Sequence, residues 1–466
     1  GNNYYSLSQT RSRSAAFFAN ATYSYKGRYT VNGTARYEGT NRMGKSRSAR
    51  WLPTWNVSGA WNAHEEKFFS NLTSVLSHFT LKASYSLTAD RGPADVTNSQ
   101  AIITSYSPYR PFTSIQESGL YIKELENSEL TYEKKHELNI GADMGFLNNR
   151  INLAVDWYKR NNYDLIGIVN TQGAGGQILK YANIASMKSH GIEFTLSTKN
   201  IKTKDFNWNT DFIFSNAKNE VTDLKQNANV MELISGNGFA KQGYPVRGLF
   251  SIPFVGLDKD GIPVIINEKG EATSTDINFQ ERQNTGFLKY EGPTDPTITG
   301  SLGNMFSYKG FRLNLFITYS FGNVIRLNPV FKAYYSDLTA MTREFKNRWT
   351  LPGDEAKTNV PAILSKRMYD SNEDLKYAYN AYNYSTERIA KGDFIRLKEI
   401  SLAYDFPKAW INPLKLTDLS LKVQATNLFL IYADDKLNGQ DPEFFNAGGV
   451  ASPVPRQFTI TLRLGL

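Results

Sequence analysis

The chain contains no cysteine, so a disulfide framework and thiolate metal sites are excluded. Histidine is scarce: His64, His78, His136 and His190 lie apart in the sequence, with no spacing used by metal ligands, and read as structural residues. No G-x-S-x-G elbow or phosphate loop occurs, so neither that nucleophilic chemistry nor nucleotide binding has a motif to rest on. No apolar run approaches the roughly 20 residues that a membrane-spanning helix needs. That absence leaves β-barrels open, because their strands are only half apolar. The chain starts GNNYYSLSQT, with neither an initiator Met nor the regions of a signal peptide. The net charge of +9 over 466 residues is spread without a basic block, which reads as solvated surface and predicts no nucleic-acid partner.

What the sequence does have is aromatic residues, 13% with 27 Tyr and 28 Phe, set in period-two stripes. In FFANATYSY, Phe17, Ala19, Ala21, Tyr23 and Tyr25 share one face. A Lys26-Gly27 turn follows, and Tyr29, Val31, Gly33, Ala35 and Tyr37 line the next strand, which makes a hairpin by pattern and by turn chemistry. Similar stripes recur to the last ten residues, QFTITLRLGL, where Phe458, Ile460, Leu462, Leu464 and Leu466 alternate with polar or small residues. In DFIRLKEISLAY the apolar phase slips between Leu397 and Ile400, which predicts a β-bulge.

The connections sort by parity. Short ones at Lys26-Gly27, 147–150, 200–205 and Lys309-Gly310, and medium ones at 62–77 and 405–418, alternate with long ones near 39–50, 90–133, 162–187, 218–298, 321–391 and 429–456. An outer-membrane barrel sorts its loops in this way, with short periplasmic turns and long extracellular loops. Aromatic residues flank the short turns, as interfacial girdles require. The apolar segment GLFSIPFVGLD (248–258) breaks the up-down order and is assigned to a long connection, leaving thirteen spanning strands. Thirteen open strands cannot bury their edges in lipid, so the expectation is a fragment completed by strands upstream. The expected fold is all-β, an antiparallel transmembrane barrel, taken as a single incomplete domain over 1–466.

The stretches YKGRYTVNGTARYEGTNRMG, RWLPTWNVSGAWNAHEEKFF and ENSELTYEKKHELNIGADMGFLNNRINLAVDWYKRNNYDLI, with NIASMKSHGIEFTLSTKNI after them, resemble the SusC/RagA family of TonB-dependent outer-membrane transporters of Bacteroidetes. RWTLPGD, GDFIRLKEISLAYDFPKAW, QATNLF and PRQFTITLRLGL continue the series in the family's order. The resemblance implies the C-terminal part of a barrel of about 22 strands, with an N-terminal plug that this sequence lacks. It also implies active import of a nutrient such as an oligosaccharide or peptide across a Gram-negative outer membrane. The implied partners are a SusD-like lipoprotein lid, the TonB complex through the missing N-terminal part, outer-membrane lipid and the nutrient ligand. No enzyme activity, cofactor or metal is expected. Leu466 departs from the aromatic last residue more common in the family. A passive porin, a surface adhesion barrel and a soluble β-rich binding protein are the competing readings.

Two aromatic segments are candidates for ligand or lid contact. LKYAYNAYNYSTER offers Tyr377, Tyr379, Tyr382 and Tyr384, and SYSPYRPF offers Tyr106, Tyr109, Arg110 and Phe112. Aromatic rings stack on sugar faces while their hydroxyls hydrogen-bond. Packing of the loop onto itself or against the lid is the alternative for both. SDLTAMTREFKNRWT (336–350) reads as a short amphipathic helix, a loop brace or lid contact. DKDG (258–261) shares part of a calcium loop but is followed by IPVII, without acidic ligands, and reads as a turn. In the terminal strand, Phe458 to Leu466 are expected to face lipid, with Thr459, Thr461 and Arg463 on the lumen side.

Overall fold

The computed structural model describes residues 11–92, 101–106, 118–170, 179–335, 341–445 and 455–465. Thirteen strands form one antiparallel sheet in which each pairs with its neighbour in the chain. They are β1 (Ser14–Tyr25), β2 (Tyr29–Thr40), β3 (Trp51–Asn62), β4 (Leu76–Asp90), β5 (Glu133–Phe146), β6 (Ile151–Asn170) and β7 (Leu179–Lys202). The order continues with β8 (Phe206–Leu224), β9 (Ile298–Tyr308), β10 (Phe311–Phe321), β11 (Phe394–Asp405), β12 (Asp418–Ala433) and β13 (Gln457–Gly465). The chain divides into two compact units, one of 1–144, 156–190 and 220–226, the other of 145–155, 191–219 and 227–466.

Turn chemistry sets the register. Lys26 and Gly27 both adopt positive φ, and Arg28 N–H donates to the Tyr25 carbonyl at 3.0 Å. The connection takes three residues, Lys26 to Arg28, and seats Tyr25 opposite Tyr29. Lys309 and Gly310, also at positive φ, make a two-residue turn of the mirror-image kind between Tyr308 and Phe311. Leu147, Asn148 and Asn149 make the third sharp turn with three successive left-handed residues. At Lys398 the expected bulge is present: Ile317 pairs with Leu397 and Phe316 with Glu399, and the shift recurs against β12.

The apolar stripes align across strands. In the second unit Phe206, Tyr308, Phe311, Tyr404, Leu421 and Leu462 form one cross-strand row beside the short turns. The Phe311 and Tyr404 ring centroids lie 4.4 Å apart. In the first unit, Tyr25, Tyr29 and Trp61 form a row of their own; nearer the other ends of their strands Trp55 meets Tyr85 edge-on, and Tyr85, His136 and Tyr163 stack in sequence. Tyr29 and Tyr37 mark the two levels on β2. At about 3.3 Å per residue and a tilt of about 40° they are roughly 20 Å apart in height, close to the apolar band of a barrel. Phe458 and Ile460 are 72% and 75% exposed; Leu466 lies outside the described residues.

One polar cluster interrupts the apolar phase, and it is internally satisfied. The Asn304 Oδ1 accepts from Trp208 Nε1 at 2.9 Å and from Thr210 Oγ1 at 2.7 Å, and Thr210 Oγ1 accepts from Asn200 Nδ2 at 2.7 Å. The opposite face carries ion pairs, among them Lys82 with Asp143 at 2.8 Å and Arg160 with Glu137 at 3.0 Å.

Two expectations are corrected. The long connection placed at 162–187 is mostly strand, because β6 continues to Asn170 and β7 begins at Leu179. Beyond the apolar band a strand keeps its hydrogen bonds without alternating hydrophobicity, so the sequence pattern ends before the strand does. The connection expected at 90–133 runs from the end of β4 at Asp90 to the start of β5 at Glu133, and it carries a small hairpin, Ile102–Tyr106 with Gly119–Glu124. Of the helix expected over 336–350, the described part is one 3₁₀ turn, Arg343–Asn347, and 336–340 lie outside the described residues.

Candidate functional site

The connections following β8 and β10 fold into an interior of their own. Gly248–Ser251 pairs with Lys289–Pro293, and Phe254–Leu257 with Pro263–Ile266, outside the thirteen-stranded sheet as the broken up-down order required. Phe250, Ile252, Val230 and Leu233 fill one cluster, and Phe331, Phe345, Tyr379 and Tyr382 another. Burying such a side chain contributes about 1.5–3 kcal/mol, which holds long connections in one conformation.

Buried arginines tie these segments together. Arg326 is 4% exposed and donates to the Ser385 carbonyl at 2.8 Å, the Phe250 carbonyl at 2.6 Å and Ser251 Oγ at 3.1 Å. Burial lowers its pKa from 12.5 to about 9. Arg388 pairs with Glu344 and donates to the Asn328 carbonyl at 3.1 Å while lying over the Phe331 ring. Arg396 grips Asp441 through Nη2 at 2.6 and 2.7 Å.

The quoted motifs find local roles here. In RWTLPGD, Asp354 Oδ2 accepts from the Thr350 amide and hydroxyl and from the Leu351 amide at 3.0–3.2 Å, and Gly353 takes the left-handed conformation. These donors hold the Asp354 carboxyl down at about 2. DKDG is a turn: Asp258 Oδ1 accepts from the Asp260 and Ile262 amides, both at 2.9 Å. Gly261 there has φ +75°, and a Cβ would stand 2.6 Å from Trp349 and 2.7 Å from Ala362. In the first unit, Asn183 of YANIASM donates to the Thr131 and Asp164 carbonyls and accepts from the Thr131 amide. Met43 and Tyr132 pack together with Leu52 beside it.

The four tyrosines of LKYAYNAYNYSTER separate. They sit on or just after the helix Leu375–Asn383. Tyr379, 1% exposed, donates to the Ala362 carbonyl at 2.5 Å, and Tyr382 is likewise interior. Burial pushes both phenols well above their ordinary pKa. Both rings are part of the loop interior, and Tyr379 also lines a cavity there. Tyr377, 40% exposed, faces outward, and Tyr384 lies half-buried against the Arg326 guanidinium. The helical spacing of Leu375, Ala378, Tyr379 and Tyr382 carried this signal. Tyr106 closes the small hairpin against Tyr121, ring centroids 5.6 Å apart, while Tyr109, Arg110 and Phe112 lie outside the described residues.

Two cavities are relevant. One of about 680 Å³ in the first unit is lined by Arg36, Glu38, Asn56, Asp90 and Arg91. Glu38 is shared between Arg36 and Arg91. The other, about 480 Å³, lies between the segment 329–335 and the helix Leu375–Asn383. Sequence reading missed it because its two walls are remote in the chain. It also missed that the His64 and His78 rings meet, centroids 4.3 Å apart, with His64 Nδ1 against the Phe79 carbonyl and His78 Nε2 against Thr80.

Residues 1–428 match the family described as TonB dependent receptor-like, beta-barrel. The chain belongs to this family. TonB-dependent receptor P3 of Formosa agariphila is 25% identical over 446 residues, 91% of this chain and 41% of that protein. The TonB-dependent receptor SusC of Bacteroides thetaiotaomicron is 26% identical over 484 residues, 98% of this chain and 44% of that protein. A structure of the RagAB peptide transporter superposes with a TM-score of 0.77 at 23% identity, covering 97% of this chain and 47% of that chain. The likeness to RagAB at this identity shows a shared fold. The receptor barrel described here spans under half the length of these relatives. It is β-barrel wall of the Gram-negative outer membrane, of the SusC/RagA kind.

Proposed function

We propose that the chain supplies wall and outer loops to a TonB-dependent importer that takes up a nutrient, an oligosaccharide or peptide, across the outer membrane. The supporting observation is the asymmetry of the sheet. Short turns edged by aromatic rows join the strands at one end, and connections packed around buried arginines join them at the other. A passive channel does not need self-packed loops, whereas a receptor needs a shaped, rigid capture surface. On this reading the long connections are extracellular, a SusD-like lipoprotein closes over them, and TonB acts on a plug contributed by the rest of the protein. The aromatic rows and Phe458 to Leu464 face lipid, and the charged face lines the lumen.

The test is uptake by cells carrying the full-length protein, with and without its TonB-contacting segment and its lipoprotein partner. Import is expected to require both. Uptake that persists without the TonB-contacting segment refutes active import and favours a passive porin.

A further inference from the structure

The cavity of about 480 Å³ has a chemistry that the import reading does not specify. Its floor is rigid. Asn383 donates to the Phe331 carbonyl at 2.8 Å and accepts from the Phe331 amide at 3.0 Å, locking the segment 329–335 onto the helix Leu375–Asn383. The Tyr335 hydroxyl donates to the Val330 carbonyl and accepts from the Lys332 amide, fixing that segment internally. Above this floor Tyr334 and Tyr369 stack with centroids 6.1 Å apart, and Tyr334 leaves 46% of its surface exposed. Lys332 and Lys376 stand exposed at the rim, and neither makes an ion pair among the described residues. Among the described residues no carboxylate lines the cavity, and the Asn380 side chain has no hydrogen-bond partner.

Resting on the import reading, we propose that this cavity is a subsite for one anionic sugar unit of the nutrient, a pyranose bearing a carboxylate or a sulfate ester. The tyrosine pair offers a face for the sugar's C–H surface. Lys332 and Lys376 meet the anion through charge-assisted hydrogen bonds, and Asn380 meets a hydroxyl. The volume falls in the range of small-ligand sites. An acidic peptide fits less well, because peptide recognition draws on free main-chain donors and acceptors. Here the helix and the bonds from Asn383 and Tyr335 occupy much of the main chain of both walls.

The experiment is calorimetric binding to the full-length transporter purified in detergent with its lipoprotein. The probes are uronate, sulfated and neutral oligosaccharides of equal length and an acidic peptide. Binding needs no TonB energy, so its failure is distinguishable from failure of the import reading, which uptake reports. Anionic oligosaccharides are expected to bind, and the uronate and sulfated arms identify which anion is read. Lys332→Gln combined with Lys376→Gln is expected to weaken them about 10-fold or more and to flatten the salt dependence. Tyr334→Ala is expected to weaken charged and neutral sugars alike. Unchanged heat-modifiable migration and loop protease resistance establish that the variants are folded. The proposal is overturned if neutral sugars bind as well as anionic ones, if the acidic peptide binds in their place, or if the double variant keeps sugar affinity. It is also overturned if the variant loses the lipoprotein instead of the sugar.

Discussion

Replacing Arg326 by methionine tests whether the outer connections are held by their own interior. The substitution removes three hydrogen bonds, to Ser385, Phe250 and Ser251. Hydrogen bonds to a charged group are worth about 1.5–3 kcal/mol each, so the gross loss is about 5–9 kcal/mol. Against this, methionine relieves the desolvation of a buried cation. The lowering of the Arg326 pKa from 12.5 to about 9 corresponds to about 5 kcal/mol. The difference is about 0–4 kcal/mol, about 2 kcal/mol at its middle, with methionine keeping part of the packing on Tyr384. The middle value raises local opening about 30-fold. The assay is hydrogen exchange of the detergent-purified, full-length transporter, followed in peptides covering 230–234, 248–252 and 385–390. The wall strands should exchange as before. Arg326→Lys should fail to rescue, because one ammonium cannot reproduce the fork that serves all three acceptors. Unchanged exchange in those peptides, or full rescue by lysine, refutes the reasoning.

Three further outcomes are expected. Gly300→Val should impair assembly of the wall, because a Cβ there would lie 2.1 Å from the Ile213 carbonyl oxygen and 2.3 Å from the Tyr319 hydroxyl; heat-modifiable migration of membrane extracts measures it, and a fully assembled barrel refutes it. Asp354 has a depressed folded-state pKa, so its contribution is complete above the ordinary carboxylate pKa, erodes as pH falls below about 4 and is gone once pH passes below about 2. Proteolysis within 349–358 by an acid-tolerant protease should therefore rise over that window, and Asp354→Asn should show the raised rate at pH 5 already. Tyr379→Ala should destabilise the loop interior by about 3–5 kcal/mol, whereas Tyr377→Ala should change it by less than about 0.5 kcal/mol; thermal unfolding of the loop region by exchange separates them.

The wall was legible in the sequence because a half-buried strand must alternate and a tight turn must contain residues tolerant of positive φ. Lys26-Gly27, Lys309-Gly310 and the phase slip before Ile400 are direct records of geometry. Strand ends were not legible, since outside the apolar band the hydrogen-bond ladder from Leu179 or toward Asn170 leaves no hydrophobic period. The loop interior was half legible. The apolar positions 375, 378, 379 and 382 describe a helix face, which agrees with packing of the loop onto itself, one of the readings open for its tyrosines, but which ring packs and which stays outside was not separable from the run alone. The cavity was illegible, because Tyr334 and Tyr369, like Asn383 and Phe331, are brought together from positions remote in the chain.

The nearest-neighbour order of the thirteen strands has a consequence for inheritance. Among the described residues no loop segment is woven into the wall, and the segments between β8 and β9 and between β10 and β11 together hold sheets, helices and arginine pins apart from it, Arg326 of the second bonding to Phe250 and Ser251 of the first. Such a cassette can be replaced by another of different length and lining as long as its ends meet the same strand termini. The wall answers to lipid and register, while such a cassette answers only to its own interior and to the two strand ends it joins.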